Sequence, residues 1–273
     1  MRSLLSILAA GLLLTILFSL PGESGGPWPL LPREQVITRQ QPDATSDSRT
    51  RRLYQWKNSR NETIQTRFEV SEEVLEEVWS NYGLSRGMTH IRYFKKQGFI
   101  ITRNILMVDY PGIYQRNLAR VDDFARDLYR TGKLQGEDRI LPEFLRFVQQ
   151  IEYRLPPMYM RGKKIMEFFP PLICLEQGYG DCDSKVILLA DLVSTLDGGR
   201  NQFAIVILNI YGKPHMLLAV KADPLVGMTA INIAGHGVFL PIETSVPGYY
   251  PGFISQMNRE WLMDENTIIQ LLN

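Results

Sequence analysis

Between Gly178 and Gly199 the chain reads GYGDCDSKVILLADLVSTLDGG: glycines and an aspartate, then an apolar run, then two glycines. A helix formed from that run is apolar on nearly every side, so it has to be buried, with other elements packed around it. The Gly-Tyr-Gly-Asp stretch reads as the tight loop that feeds the helix, and Gly198-Gly199 as its stop. With 273 residues, 45% of them hydrophobic and 22% charged, there is material for a core of that size.

Cys182 stands at the first turn of this helix. A thiol attacks as the thiolate, and the free N–H groups and partial positive charge at a helix start favour the anion. Asp181 and Asp183 flank it and oppose ionisation, so capping the helix and holding the loop are their expected roles. Past Gly199, Gln202 to Ile210 reads as a strand, Tyr211-Gly-Lys-Pro214 as a turn and His215 to Ala222 as a second strand. His215 then opens a hairpin strand from which it can face the Cys182 helix and take its proton. A third run, Gly237 to Glu243, laid beside the histidine's strand, brings Glu243 to the second ring nitrogen. The expected triad is Cys182 as nucleophile, His215 as base and Glu243 as orienting acid. Gln177, five residues before Cys182, is a candidate side-chain donor to an oxyanion beside the Cys182 backbone N–H. Alternatives stand next to each of these. Cys174, in the apolar PPLICL stretch, is core or closes a disulfide with Cys182; His236 is a substitute base; Asp223 or Asp264 is a substitute acid. Lys185 reads as an exposed helix residue.

The segments GYGDCDSKVILLADL, PHMLLAV and FLPIETSVPG resemble three motif blocks of bacterial transglutaminase-like proteins, over about residues 141 to 250. That resemblance implies an α+β fold with a papain-like core, a nucleophile-bearing helix packed on an antiparallel sheet. It also implies Cys182, His215 and Glu243 as the triad, and thiol acyl chemistry: attack on an amide, a thioester, then transfer to water or an amine. Many relatives carry an aromatic residue soon after the histidine and Asp as the third member, where this chain has Met216 and Glu243. Nothing resembles the calcium sites of the animal enzymes, so neither metal nor cofactor is expected.

Residues 4 to 20, LLSILAAGLLLTILFSL, form an uncharged apolar run behind Arg2, closed by Pro21-Gly22. Residues 1–24 are expected to be a signal peptide or a signal anchor that places the remainder outside the cytoplasm, periplasmic or extracellular. Residues 25–60 read as a flexible linker, 61–117 as a small α+β lobe and 118–273 as the catalytic domain. Lysine and arginine total 30 against 29 acidic residues, so no overall field draws in nucleic acid. A peptide or protein substrate, such as a cell-envelope peptide, is the expected partner. The alternative to an enzyme is an inactive binding or envelope-assembly module on the same fold.

Overall fold

A computed structural model describes residues 37–40, 49–81, 86–94, 100–132, 139–165 and 168–272, with 37–40, 86–94 and 100–107 as backbone alone. The apolar segment 4–20 and its cleavage candidate lie outside these residues. No helix among the described residues is long and apolar enough to cross a membrane. In chain order the elements are β1 (Ile37–Gln40), β2 (Arg49–Lys57), β3 (Thr63–Ser71), α1 (Glu72–Asn81), β4 (Arg86–Phe94) and β5 (Ile100–Val108). Next come α2 (Tyr110–Asn117), α3 (Asp122–Thr131), α4 (Ile140–Gln150), β6 (Glu152–Tyr153), β7 (Tyr159–Met160), β8 (Lys163–Lys164), α5 (Pro171–Gln177) and β9 (Tyr179–Gly180). The chain closes with α6 (Cys182–Asp197), β10 (Phe203–Ile210), β11 (Lys213–Lys221), β12 (Ile231–Ile233), β13 (Gly237–Ile242), α7 (Gln256–Leu262) and β14 (Ile268–Leu271).

The apolar run after Cys182 forms α6, and every residue from Ser184 to Ser194 is buried. One side of the helix rests on β11; α2, α3, α4 and α5 surround the rest of it. The fold is α+β, with its main sheet antiparallel in the order β12-β13-β11-β10-β14-β4-β5. The β10–β11 hairpin is joined by Tyr211-Gly212, both at positive φ. Alternation along these strands separates two apolar layers. Phe203, Ile205, Met216, Leu218, Val220 and Ile242 pack toward α6, whereas Ala204, Val206, Leu208, Leu217, Ala219 and Phe239 join Leu262 of α7 on the opposite face.

Arg49–Lys57 falls where the sequence reads as linker, yet it is a strand of the sheet β1-β2-β3. Its alternate residues Tyr54 and Trp56 are buried, and both stack edge-on against Phe147 of α4, at 5.3 and 5.8 Å between ring centroids. The Tyr54 hydroxyl donates to Leu175 O at 2.5 Å. Aromatics at period two between polar residues are a strand pattern, masked here by the surrounding arginines. Farther on, β4 pairs with the C-terminal strand β14, so the β4–β5 hairpin extends the sheet that carries His215. One apolar cluster runs from Tyr54 to Leu272.

Candidate active site

Local geometry explains why Cys182 begins a helix. Gly178 ends α5 in left-handed backbone (φ 73°), a conformation that glycine adopts without a Cβ clash. Gly180 then passes so close to α5 and α6 that a Cβ on it would lie 2.9 Å from both Cys174 Sγ and Ser184 Cβ. Asp181 caps the helix: its Oδ1 accepts from Ser184 N–H at 3.1 Å and from the Ser184 hydroxyl at 2.6 Å. Cys182 follows at the first helical position, 7% exposed, where a backbone N–H has no intrahelical acceptor. Beside the loop, β6 pairs in parallel with β9, with Tyr153 opposite Gly180, and Arg154 N–H donates to Gly180 O at 3.2 Å.

Both cysteines are free thiols. Cys174 is fully buried and its thiol is pushed up to about 12, chiefly by burial, so it belongs to the core. The Cys182 thiol is also pushed well above its ordinary value, first by burial and then by the charges of Asp183 and Asp181; a hydrogen bond from Met216 N–H acts the other way. In this structure the Cys182 thiol donates to Asp183 Oδ1 at 3.2 Å, and Asp183 Oδ2 accepts from the Tyr110 hydroxyl at 2.5 Å.

His215 and Glu243 are brought together. His215 Nε2 lies 2.9 Å from Glu243 Oε2, which also accepts from Asn258 Nδ2 at 2.9 Å; Oε1 accepts from Ser245 N–H at 2.7 Å. Glu243 is 2% exposed, and Gln149 pins the loop behind it by donating to Glu243 O and Tyr249 O, both at 2.8 Å. Burial pulls the His215 pKa down, but the hydrogen bond and charge of Glu243, with the charge of Asp183, outweigh it and leave the value raised. No other partner of the imidazole occurs among the described residues, so Nδ1 is open.

The expectation that His215 faces the Cys182 helix is corrected in one respect. Strand parity puts His215 with Leu217 and Ala219 on the α7 side, because Met216 and Leu218 point toward α6. Ala222 N–H bonds Val238 O, so the even-numbered backbone groups of β11 aim at β13, and β13 stops at Ile242 opposite Leu218. The Met216 N–H therefore has no partner in β13, and its effect on the Cys182 thiol is to lower the pKa. The thiol bonds Asp183 and the imidazole bonds Glu243, without a direct hydrogen bond between the two.

Gln177 is the half-buried last residue of α5, and its side chain makes no hydrogen bond among the described residues. His236 sits in the β12–β13 turn, at the far end of β13 from Glu243; Asp223 is exposed past β11; Asp264 holds Asn266 in a turn after α7. Lys185, expected on the surface, is fully buried: its ammonium donates to Ile151 O at 2.9 Å and Gln149 O at 3.4 Å, and burial lowers its pKa to about 8. It satisfies carbonyls at the C-terminal end of α4, a surface that α6 needs at close range. Sequence reasoning missed Asn258 and Tyr110. For Asn258 a weak signal exists, since Ser255 caps a short helix on which a buried Asn needs a polar partner. Tyr110 has no local signal. Tyr153, 47% exposed, feels the charges of Cys182, Asp181, Asp183 and Glu243, which puts it at the mouth of the site. Among the described residues no group of three or more His, Cys, Asp or Glu side chains is placed to hold a metal ion. No protein-family model matches the chain, and no curated protein shows significant similarity to it.

Proposed function

We propose that this protein is a cysteine hydrolase or acyltransferase acting on peptide-like amides, on a papain-like or transglutaminase-like core, with Cys182, His215 and Glu243 as its catalytic groups. The observation that carries this is the buried Glu243 bound to His215 Nε2 at 2.9 Å, on a strand that packs against the helix that Cys182 begins. As the sulfur attacks a carbonyl carbon, its proton passes to His215 Nδ1, and Glu243 stabilises the imidazolium. The C–N bond breaks, the departing amine takes that proton, and a thioester remains on Cys182. Water or a second amine, deprotonated by His215, then attacks the thioester and the thiol is regenerated. The Cys182 backbone N–H is positioned to serve the oxyanion, with Gln177 as candidate for a second donor.

A polypeptide substrate is supported by the exposed apolar side chains of Leu155, Met158 and Tyr159, which follow Tyr153 in the chain. Export by residues 4–20 would direct the enzyme to extracytoplasmic peptide, such as that of a cell envelope. The test is the pH dependence of Cys182 alkylation by a thiol-selective reagent. His215→Ala is expected to slow the reaction near neutral pH; a rate unaffected by the loss of His215 would sink the acid–base assignment.

One observation favours a second reading, a binding module that keeps the fold without chemistry: the resting thiol donates to Asp183 and not to the imidazole. In that case Cys182→Ala leaves the cellular role intact, whereas deletion of the protein abolishes it.

A further inference from the structure

We propose that Asp183 is a second functional carboxylate of this site: clamped by Tyr110, it holds the Cys182 hydrogen in the substrate-free protein and so sets the pH at which the sulfur becomes nucleophilic. The consequence for catalysis rests on the cysteine reading above, but the holding itself is a property of the thiol and can be measured without turnover.

The geometry is specific. One oxygen of Asp183 accepts from the thiol and the other from the Tyr110 hydroxyl. A phenol donating to a carboxylate is a charge-assisted bond, among the stronger kinds, and it fixes the carboxylate's orientation. Tyr110 is itself held: it is 5% exposed and stacks edge-on against Phe168 at 5.7 Å. Capping does not require Asp183, because Asp181 already fills that role at the N-cap. The side chain of Asp183 is instead turned to the sulfur.

The groups facing the thiol act mostly in one direction. Asp181 and Asp183 oppose the thiolate from the start of α6. Tyr110 from α2 and Tyr153 from β6 both sense the charge of Cys182, as does Lys185, one turn farther along α6 with its ammonium held by α4 carbonyls. Glu243, just past β13, engages His215 of β11, and from β11 the Met216 N–H favours the thiolate. The resting sulfur is thus a neutral, hydrogen-bonded thiol, shielded from the oxidants and alkylators that attack thiolates. The thiol gives up its hydrogen bond to Asp183 without any covalent bond to Asp183 forming or breaking, and the proton leaves the sulfur only as the sulfur attacks.

The test is iodoacetamide alkylation of the substrate-free protein from about pH 5 to about pH 10, with Cys182 and Cys174 followed separately by peptide mass. Asp183→Asn is expected to speed the reaction of Cys182 roughly tenfold at each pH of the scan, with Cys174 unchanged. Tyr110→Phe, which loosens the clamp by deleting one hydroxyl, speeds it by less. An unchanged or slower rate in Asp183→Asn overturns the proposal; if that variant does not fold by near-ultraviolet circular dichroism, an unchanged rate in Tyr110→Phe does so. His215→Ala separates the two ideas. Wild-type rates in that variant, together with acceleration in Asp183→Asn, would remove the catalytic base and leave the role of Asp183 standing.

Discussion

Both oxygens of Glu243 are engaged, by His215, Asn258 and the Ser245 amide, so the residue can be probed one donor at a time. Asn258→Ala leaves a buried carboxylate short of one hydrogen bond and is expected to cost about 1–3 kcal/mol of stability, read as a lower melting temperature. Glu243→Gln keeps the volume but removes the charge, and turnover is expected to fall by roughly 10²–10⁴-fold, the usual contribution of a positioned acid–base pair. The pH profile carries a sign. In the proposed role His215 is a base only when neutral, and its pKa is raised, so the rate is expected to climb as pH passes through a value above about 6.5. In Glu243→Gln burial becomes the dominant influence on the ring and the limb moves to lower pH. The same shift makes the ring's contribution to stability complete below about 6.5 and lost as pH rises through the folded value. At this scale Cys182, His215 and Glu243 were legible because each stands at an element boundary. The burial of Lys185 and the reach of Tyr110 were not, since both depend on segments remote in the chain.

Among the elements, the approach of β9 to α6 is the closest constraint on the helix start that carries Cys182. Gly180→Ala would place a methyl group 2.9 Å from Cys174 Sγ and from Ser184 Cβ, neither of which can retreat from the packed helix start. Overpacking of this kind is expected to cost about 1–3 kcal/mol. Because it also moves Ser184, the partner of the Asp181 cap, turnover should fall more than melting temperature alone would predict; kinetics and thermal melts on the same preparation check this. The β10–β11 hairpin, the third strand ending at Glu243 and the buried helix all follow from periodicity and turn chemistry. Strand parity does not put the imidazole and the thiol on one face. The pairing of β13 ends at Ile242, and Gln149 and Asn258 hold the following loop and its carboxylate.

Across the whole molecule, α6 is enclosed by the seven-stranded sheet on one side and helices on the others, and this enclosure has a cost at Asp191. That side chain is fully buried, and neither of its oxygens has a hydrogen-bond partner among the described residues. Burial raises its pKa well above the carboxylate range, so the folded protein keeps the proton that the unfolded chain releases near pH 4. Stability from this group therefore declines as pH rises above about 4, and Asp191→Asn is expected to raise the melting temperature by an amount that grows with pH. Equal melting temperatures of the two forms across the pH range would count against a neutral Asp191. The sequence by itself determined the central helix, the cysteine at its start, the hairpin with the histidine and the order of the three site residues, because loops, caps and periodicities act within a few residues of one another. Only the tertiary structure decided that β2 packs its aromatics on α4, that β14 joins two stretches of sheet, that Lys185 caps another helix and that Asp183 rather than His215 holds the resting thiol. Those outcomes arise from packing between segments far apart in the chain, where burial, and not local propensity, sets which polar groups must meet.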